Sequence, residues 1–168
     1  MYDDGTIHGG MNTAPIDGEG NPTKKTNLVT KGVFSGLLHS EYTANLCNTV
    51  STGNGVRQAA TEPRVGTTNL ILKEGRTTVE GLIEEVKKGV IVGDFSGNIN
   101  SFSGLFSGVI EHSFYIEKGE INHPVTGVIR GNAFEWLTKV ENAAKERRIG
   151  EGGMYAVPVL VQNVKIMK

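Results

Sequence analysis

The sequence predicts an α+β fold, a largely antiparallel β-sheet with about three helices packed on it. Three observations carry that expectation. The 23 glycines among 168 residues are scattered between short apolar runs, a pattern of many strands and turns and not of a helical bundle. Two Lys-Gly pairs, Lys31-Gly32 and Lys118-Gly119, each sit between β-prone runs as hairpin turns do. Finally, three stretches open on a capping residue: Ser40, Thr77 with Glu80, and Asn132 with Glu135.

In chain order, residues 1–26 are rich in turn formers, with Asp3-Asp4-Gly5-Thr6 and Asp17-Gly18-Glu19-Gly20-Asn21-Pro22, and read as extended or looped. Residues 27–29 and 33–38 flank Thr30-Lys31-Gly32 as a hairpin with Gly32 left-handed. A helix is expected from Ser40 to about Cys47, with Cys47 packed in the core. Residues 67–72 read as a strand. Val79, Leu82, Ile83 and Val86 recur at helical spacing before Gly89, and residues 90–92 continue as a short strand. Residues 93–108, small and polar with interleaved aromatics, read as a second binding loop or a linker. A second hairpin joins residues 109–116 to 120–123, and residues 128–130 add a strand. A helix from Asn132 to about Arg147 and a terminal strand over 156–167 complete the expectation. At this length one domain, residues 1–168, is the default.

Several function classes lack support. A net charge of −1, with Lys and Arg dispersed, offers no footprint for direct nucleic-acid binding. The single cysteine excludes an intrachain disulfide and any multi-cysteine metal cluster from this chain alone. No run of 18 apolar residues is present for a membrane span, and a reducing compartment is the simplest expectation from the single cysteine. His8, His39, His112 and His123 lie in different segments without metal-ligand spacing, and Glu111 and His112 cannot share a site on a regular strand without a bulge. There is no Gly-x-Ser-x-Gly elbow and no phosphate loop.

What remains is Ser51-Thr52-Gly53-Asn54-Gly55-Val56-Arg57, where glycines permit close backbone approach and Thr52, Asn54 and Arg57 supply polar groups. It reads either as a plain surface turn or as a site loop. On the site reading, Thr52, Gly53, Asn54 and Arg57 are cavity-lining contacts, with Ser96, Gly97 and Asn98 as a second set. Asn54→Leu is then expected to leave the melting temperature nearly unchanged.

The ordered series Asp3-Asp4-Gly5-Thr6, Asp17-Gly18-Glu19-Gly20, Leu28-Val29 to Gly32-Val33 and Ser51-Thr52-Gly53-Asn54-Gly55 resembles the C-terminal region of the TldD/PmbA proteins. Phe114 to Ile121, His123-Pro124-Val125 and Arg130-Gly131-Asn132 are similar to that region too. The resemblance implies a part in a cytoplasmic peptidase system in which TldD-type and PmbA (TldE) chains pair around a cavity. The family is associated with peptide maturation and with degrading small unfolded proteins, and an older name makes it a modulator of DNA gyrase. Its zinc is held by a His-Glu-x-x-x-His helix and a late cysteine, and neither is matched here. The resemblance therefore implies a PmbA-like chain without the N-terminal family domain, with no catalytic residues and no metal of its own, and with zinc on a partner. That partner would be a TldD-like subunit or a second copy, and the bound molecule an extended peptide held by backbone pairing at an exposed strand edge. A peptidase active by itself and a structural or small-ligand module with the same fold are the alternatives.

Overall fold

The computed structural model describes residues 1–167 and divides the chain into two compact units. The first comprises Met1–Lys73 and Arg147–Val157, and the second Glu74–Glu146 and the stretch from Pro158 onward.

In the first unit the chain runs through β1 (Tyr2–Asp4), β2 (Lys25–Asn27), β3 (Val29–Thr30), β4 (Val33–Phe34), α1 (Glu41–Leu46), β5 (Gly55–Val56), β6 (Arg64–Val65) and β7 (Leu70–Ile71). The second unit holds α2 (Val79–Glu84), β8 (Lys88–Ile91), β9 (Asp94–Ile99), β10 (Leu105–Glu117), β11 (Glu120–Asn132), α3 (Ala133–Leu137) and β12 (Val140–Ala143). The chain then returns to the first unit with β13 (Arg148–Ile149) and β14 (Met154–Ala156), and ends in the second with β15 (Val159–Val161) and β16 (Ile166–Met167).

One five-stranded sheet, in the order β13-β14-β7-β1-β2, forms the first unit's frame. All its pairs are antiparallel except β14 with β7. Asp3 and Asp4 thus lie on an inner strand of this sheet, within a segment expected to be extended or looped. Aspartate is unsuited to a strand by propensity; distant Asn54 and Thr68 satisfy the Asp3 carboxylate, while that of Asp4 accepts locally from the amide and hydroxyl of Thr6. The β3–β4 hairpin turns on Lys31 and Gly32, both at positive φ as a type I′ turn requires. Ser40 caps α1 in a reciprocal capping box with Thr43. Cys47 is the exposed C-cap of that helix, not a core residue, because the helix ends there and turns its last residues outward.

The second unit is organised by the long β10–β11 hairpin, whose Lys118-Gly119 turn repeats the positive-φ pair. β11 continues to β16, while both β8 and β9 lie along the other edge of β10. Ile110, Ile116 and Ile129 of the hairpin are buried, as is Leu82 of α2, which lines a common cavity with Ile116. Residues 94–99, expected within a loop or linker, form a strand because β10 offers them an edge in unbroken register from Asp94↔Glu111 to Ile99↔Phe106. The cap of α2 is Thr78 and not Thr77, which instead bridges to Ala144. The helix expected from Asn132 to Arg147 stops at Leu137. Asn132 does cap it, accepting from the amides of Phe134 and Glu135, but Val140–Ala143 pairs with β15. A neighbouring strand there outweighs a weak helical preference. The terminal strand expected over 156–167 resolves into β15 and β16, preceded by β14.

An aromatic lane covers one face of this sheet. Phe95 meets Phe106 edge-on at 5.9 Å between ring centroids, and Phe106 meets Trp136 at 4.6 Å. The Phe95 ring lies over the Gly97↔Gly108 pair, within 2.8 Å of where a Cβ on either glycine would stand. The ring thus replaces the missing side chains. Phe95→Ala is expected to cost about 1–2 kcal/mol, read as a fall in melting temperature of roughly 2–8 °C; an unchanged melting curve would show that the ring contributes nothing.

Candidate functional site

The loop over residues 51–55 is buried throughout. Asn54, 2% exposed, donates to Asp3 Oδ2 at 2.7 Å and to the Gly66 carbonyl at 3.0 Å. The Thr52 hydroxyl lies 2.7 Å from Asn54 Oδ1 and accepts from the His39 amide at 2.7 Å. The fully buried Asp3 carboxylate also accepts from the Thr68 amide and hydroxyl, at 2.8 and 2.7 Å. A buried polar network of this kind is stable only when every member has its partners.

A second motif closes over the same loop. The Asp17 carboxylate accepts from the Gly55 amide at 2.8 Å and, through its other oxygen, from the amides of Glu19 and Asn21. Gly18 donates to the Gly55 carbonyl at 2.6 Å, and Glu19 accepts from the Glu41 amide, the first of α1, at 2.7 Å. Negative charge at a helix N-terminus is favoured by its free amides. Three motifs separated by up to 51 residues therefore meet in one place, because each supplies the donors or acceptors the others lack.

Gly53 permits the crossing. Its φ is +71°, and a Cβ there would stand 2.2 Å from the Pro22 carbonyl oxygen. Thr52, Gly53 and Asn54 are thus met by protein partners, whereas Arg57, just beyond β5, is exposed. The expectation that Asn54→Leu spares the melting temperature gives way to the opposite one, because the amide is the hub of buried bonds.

Ser96, Gly97 and Asn98 lie elsewhere, on β9 in the second unit. Register pairs Ser96 with Val109 and Asn98 with Ser107, which in turn faces Arg130 on β11. Directly paired residues share a sheet face, so Asn98, Ser107 and Arg130 form an exposed polar row across three strands, with Ser96 beside it opposite Val109. Gly97 alternates to the other face, beneath Phe95.

The histidines do not converge. His112 sits at φ +47° in a bulge where three residues of β10 advance against two of β11, so the strand is not regular there. Its Nδ1 is 2.8 Å from Asp94 Oδ2, with both side chains largely exposed, a pair worth little. Among the described residues no three His, Cys, Asp or Glu side chains come together as a metal would need. The described donor set therefore does not fit zinc. An apolar cavity lined by Leu82, Ile83, Val86, Ile116 and Val159 has a volume of about 90 Å³, against the ~300 Å³ or more of small-molecule sites. No helix among the described residues is long and apolar enough to cross a membrane.

The model of the PmbA/TldA metallopeptidase C-terminal domain matches residues 1–168. The chain belongs to the PmbA/TldA metallopeptidase family. Family relatives include a metalloprotease TldD homologue of Haemophilus influenzae, 31% identical over 155 residues, covering 90% of this chain and 32% of the relative. A metalloprotease of Methanothermobacter thermautotrophicus is 34% identical over 154 residues, covering 90% of this chain and 34% of the relative. Among solved structures, TldE from Thermococcus kodakarensis superposes with a TM-score of 0.90 at 29% identity, covering 99% of this chain and 39% of that one. The chain therefore spans about a third of the length of the curated relatives it matches. The family's C-terminal domain is the frame in which both polar clusters sit, and its α+β, mainly antiparallel character is the one expected from the sequence.

Proposed function

We propose that this chain is a non-catalytic, TldE-like component of a TldD/PmbA-type metallopeptidase system, which holds an extended peptide while a zinc-bearing TldD-like partner cleaves or matures it. The observation that carries the reading is the exposed row of Asn98, Ser107 and Arg130 across β9, β10 and β11, with Ser96 beside it, which presents hydroxyl, amide and guanidinium groups on one sheet. Such groups can satisfy the carbonyls and amides of an extended chain. The dispersed histidines and the exposed, solitary Cys47 support leaving the chemistry to a partner. Resemblance to both TldD homologues and a TldE structure supports the system itself. On this reading Ser96 and Asn98 of the second unit make the contacts, while in the first unit Thr52, Gly53 and Asn54 are positioning residues that hold the loop bearing the exposed Arg57. A cytoplasmic setting belongs to the same proposal.

The test mixes the chain with a zinc-bearing TldD-type protein and follows complex formation by native mass spectrometry and peptide binding by fluorescence anisotropy. Ser96→Ala with Asn98→Ala is expected to weaken peptide binding roughly tenfold, two hydrogen bonds' worth, with the complex intact. The absence of both association and peptide binding would overturn the proposal. Apolar side chains exposed on the β3–β4 hairpin and on α1, among them Phe34 at 65% and Leu46 at 68%, are further candidates for the partner surface.

A further inference from the structure

β9 pairs with β10 along one edge and with no other strand among the described residues. Which of its backbone groups face outward follows from the turn that closes the hairpin. Asn100 donates its amide to the Leu105 carbonyl at 2.8 Å, so Asn100 faces β10. Antiparallel ladders alternate, and the register from Ile99 back to Asp94 is unbroken. Asn98, Ser96 and Asp94 therefore also bond to β10, while the N–H and C=O groups of Phe95, Gly97 and Ile99 face outward along the free edge.

Natural sheets guard such edges with lysine, proline, a bulge or a covering element. Within Asp94–Ile99 there is a single charge, Asp94 at the strand's start, and none of these other guards, and all six residues are exposed. Its side chains are also arranged symmetrically about Gly97: apolar Phe95, polar Ser96, glycine, polar Asn98, apolar Ile99.

We infer that β9 is a self-pairing edge, and that two copies of this chain join antiparallel across it, with the two-fold axis passing through Gly97. In that register the outward groups of Gly97 bond to those of the other copy's Gly97. Phe95 then stands opposite the other copy's Ile99, a favourable aromatic and β-branched pair, and Ser96 opposite the other copy's Asn98, a polar pair. Asp94 meets the other copy's Asn100, so no like charges face each other. A two-fold interface requires one patch to complement itself, and this strand does so at every position. The occupant is a second copy and not an arbitrary peptide because only the self-pair uses that symmetry. The pairing would extend the polar face of the proposed function across both copies, but it stands without that function.

The experiment is a charge exchange on the full chain, read by sedimentation equilibrium at concentrations up to the order of 100 μM. Ser96→Lys with Asn98→Lys places two like-charged pairs across the axis and is expected to weaken dimerisation tenfold or more, whereas Ser96→Glu with Asn98→Lys restores opposite charges and is expected to stay within about threefold of the native chain. A native chain that remains monomeric throughout overturns the inference, as does a dimer that the double lysine leaves untouched. Amide exchange on the native chain decides the matter if a variant fails to fold. The amides of Phe95, Gly97 and Ile99 should gain protection with increasing protein concentration, while those of Ser96 and Asn98 are protected at every concentration by β10. Protection of the outward amides only on adding an extended peptide would also overturn it, and would name a peptide as the occupant instead. Because no readout of dimerisation involves peptide or zinc, its failure is distinct from failure of the peptide-holding role.

Discussion

Asn54→Leu is expected to lower stability by about 3–5 kcal/mol, because removing one partner from a buried network leaves the others unsatisfied. The change removes both donors and the acceptor while keeping a side chain branched at the same carbon. Asp3 Oδ2 loses one of its two donors, the Gly66 carbonyl loses the amide, and the Thr52 hydroxyl loses an acceptor. For a chain of this length the melting temperature should fall by roughly 6–20 °C. Asn98→Leu, on the exposed face of β9, provides the contrast and should stay within about 0.5 kcal/mol. Equal melting temperatures for the two variants would show that the Asn54 network contributes nothing beyond an ordinary surface contact.

Gly53→Ala is expected to be nearly as damaging, at about 3 kcal/mol or more, since two penalties combine. Alanine in the left-handed region costs about 1–2 kcal/mol, and its Cβ would collide with backbone, 2.2 Å from the Pro22 oxygen and 2.7 Å from the Thr23 Cα. Gly20 separates the two effects. Its φ is +88°, with nothing within 4 Å of a Cβ placed there, so Gly20→Ala should show the conformational penalty alone, about 1–2 kcal/mol. Urea unfolding of both variants with a constant m-value would report the difference. A Gly53→Ala midpoint no lower than that of Gly20→Ala would mean that the loop yields to the added methyl.

Both expectations reassign a loop that looked from its residues like an open site. Small and polar residues are what a substrate contact needs, but they are equally what a crossing of three backbones needs. The sequence cannot distinguish the two uses, because the difference lies in where Asp3, Asp17 and Thr68 are, each more than ten residues away. Ser96, Gly97 and Asn98 carry the converse lesson. Their composition suggested a flexible connection, and the edge of β10 makes them a strand whose alternate residues divide between an exposed polar face and an aromatic lane. The second unit's exposed polar face was half legible, since Ser96 and Asn98 stood out as candidates while Ser107 and Arg130 joined them only through register.

Read alone, the chain determined its α+β class, its family, the two hairpin turns at Lys31-Gly32 and Lys118-Gly119, and the capped starts at Ser40 and Asn132. Those features depend on φ preferences and on side-chain bonds that reach only three or four residues, so neighbouring letters suffice. Only the tertiary structure decided that Asp3 and Asp4 lie in an inner strand, that 94–99 and 140–143 are strands rather than loop and helix, and that Asn54 is buried. Short strands and buried polar groups have no stability of their own. They exist where a partner distant in the chain completes their hydrogen bonds, and that partner's position is a property of the folded whole.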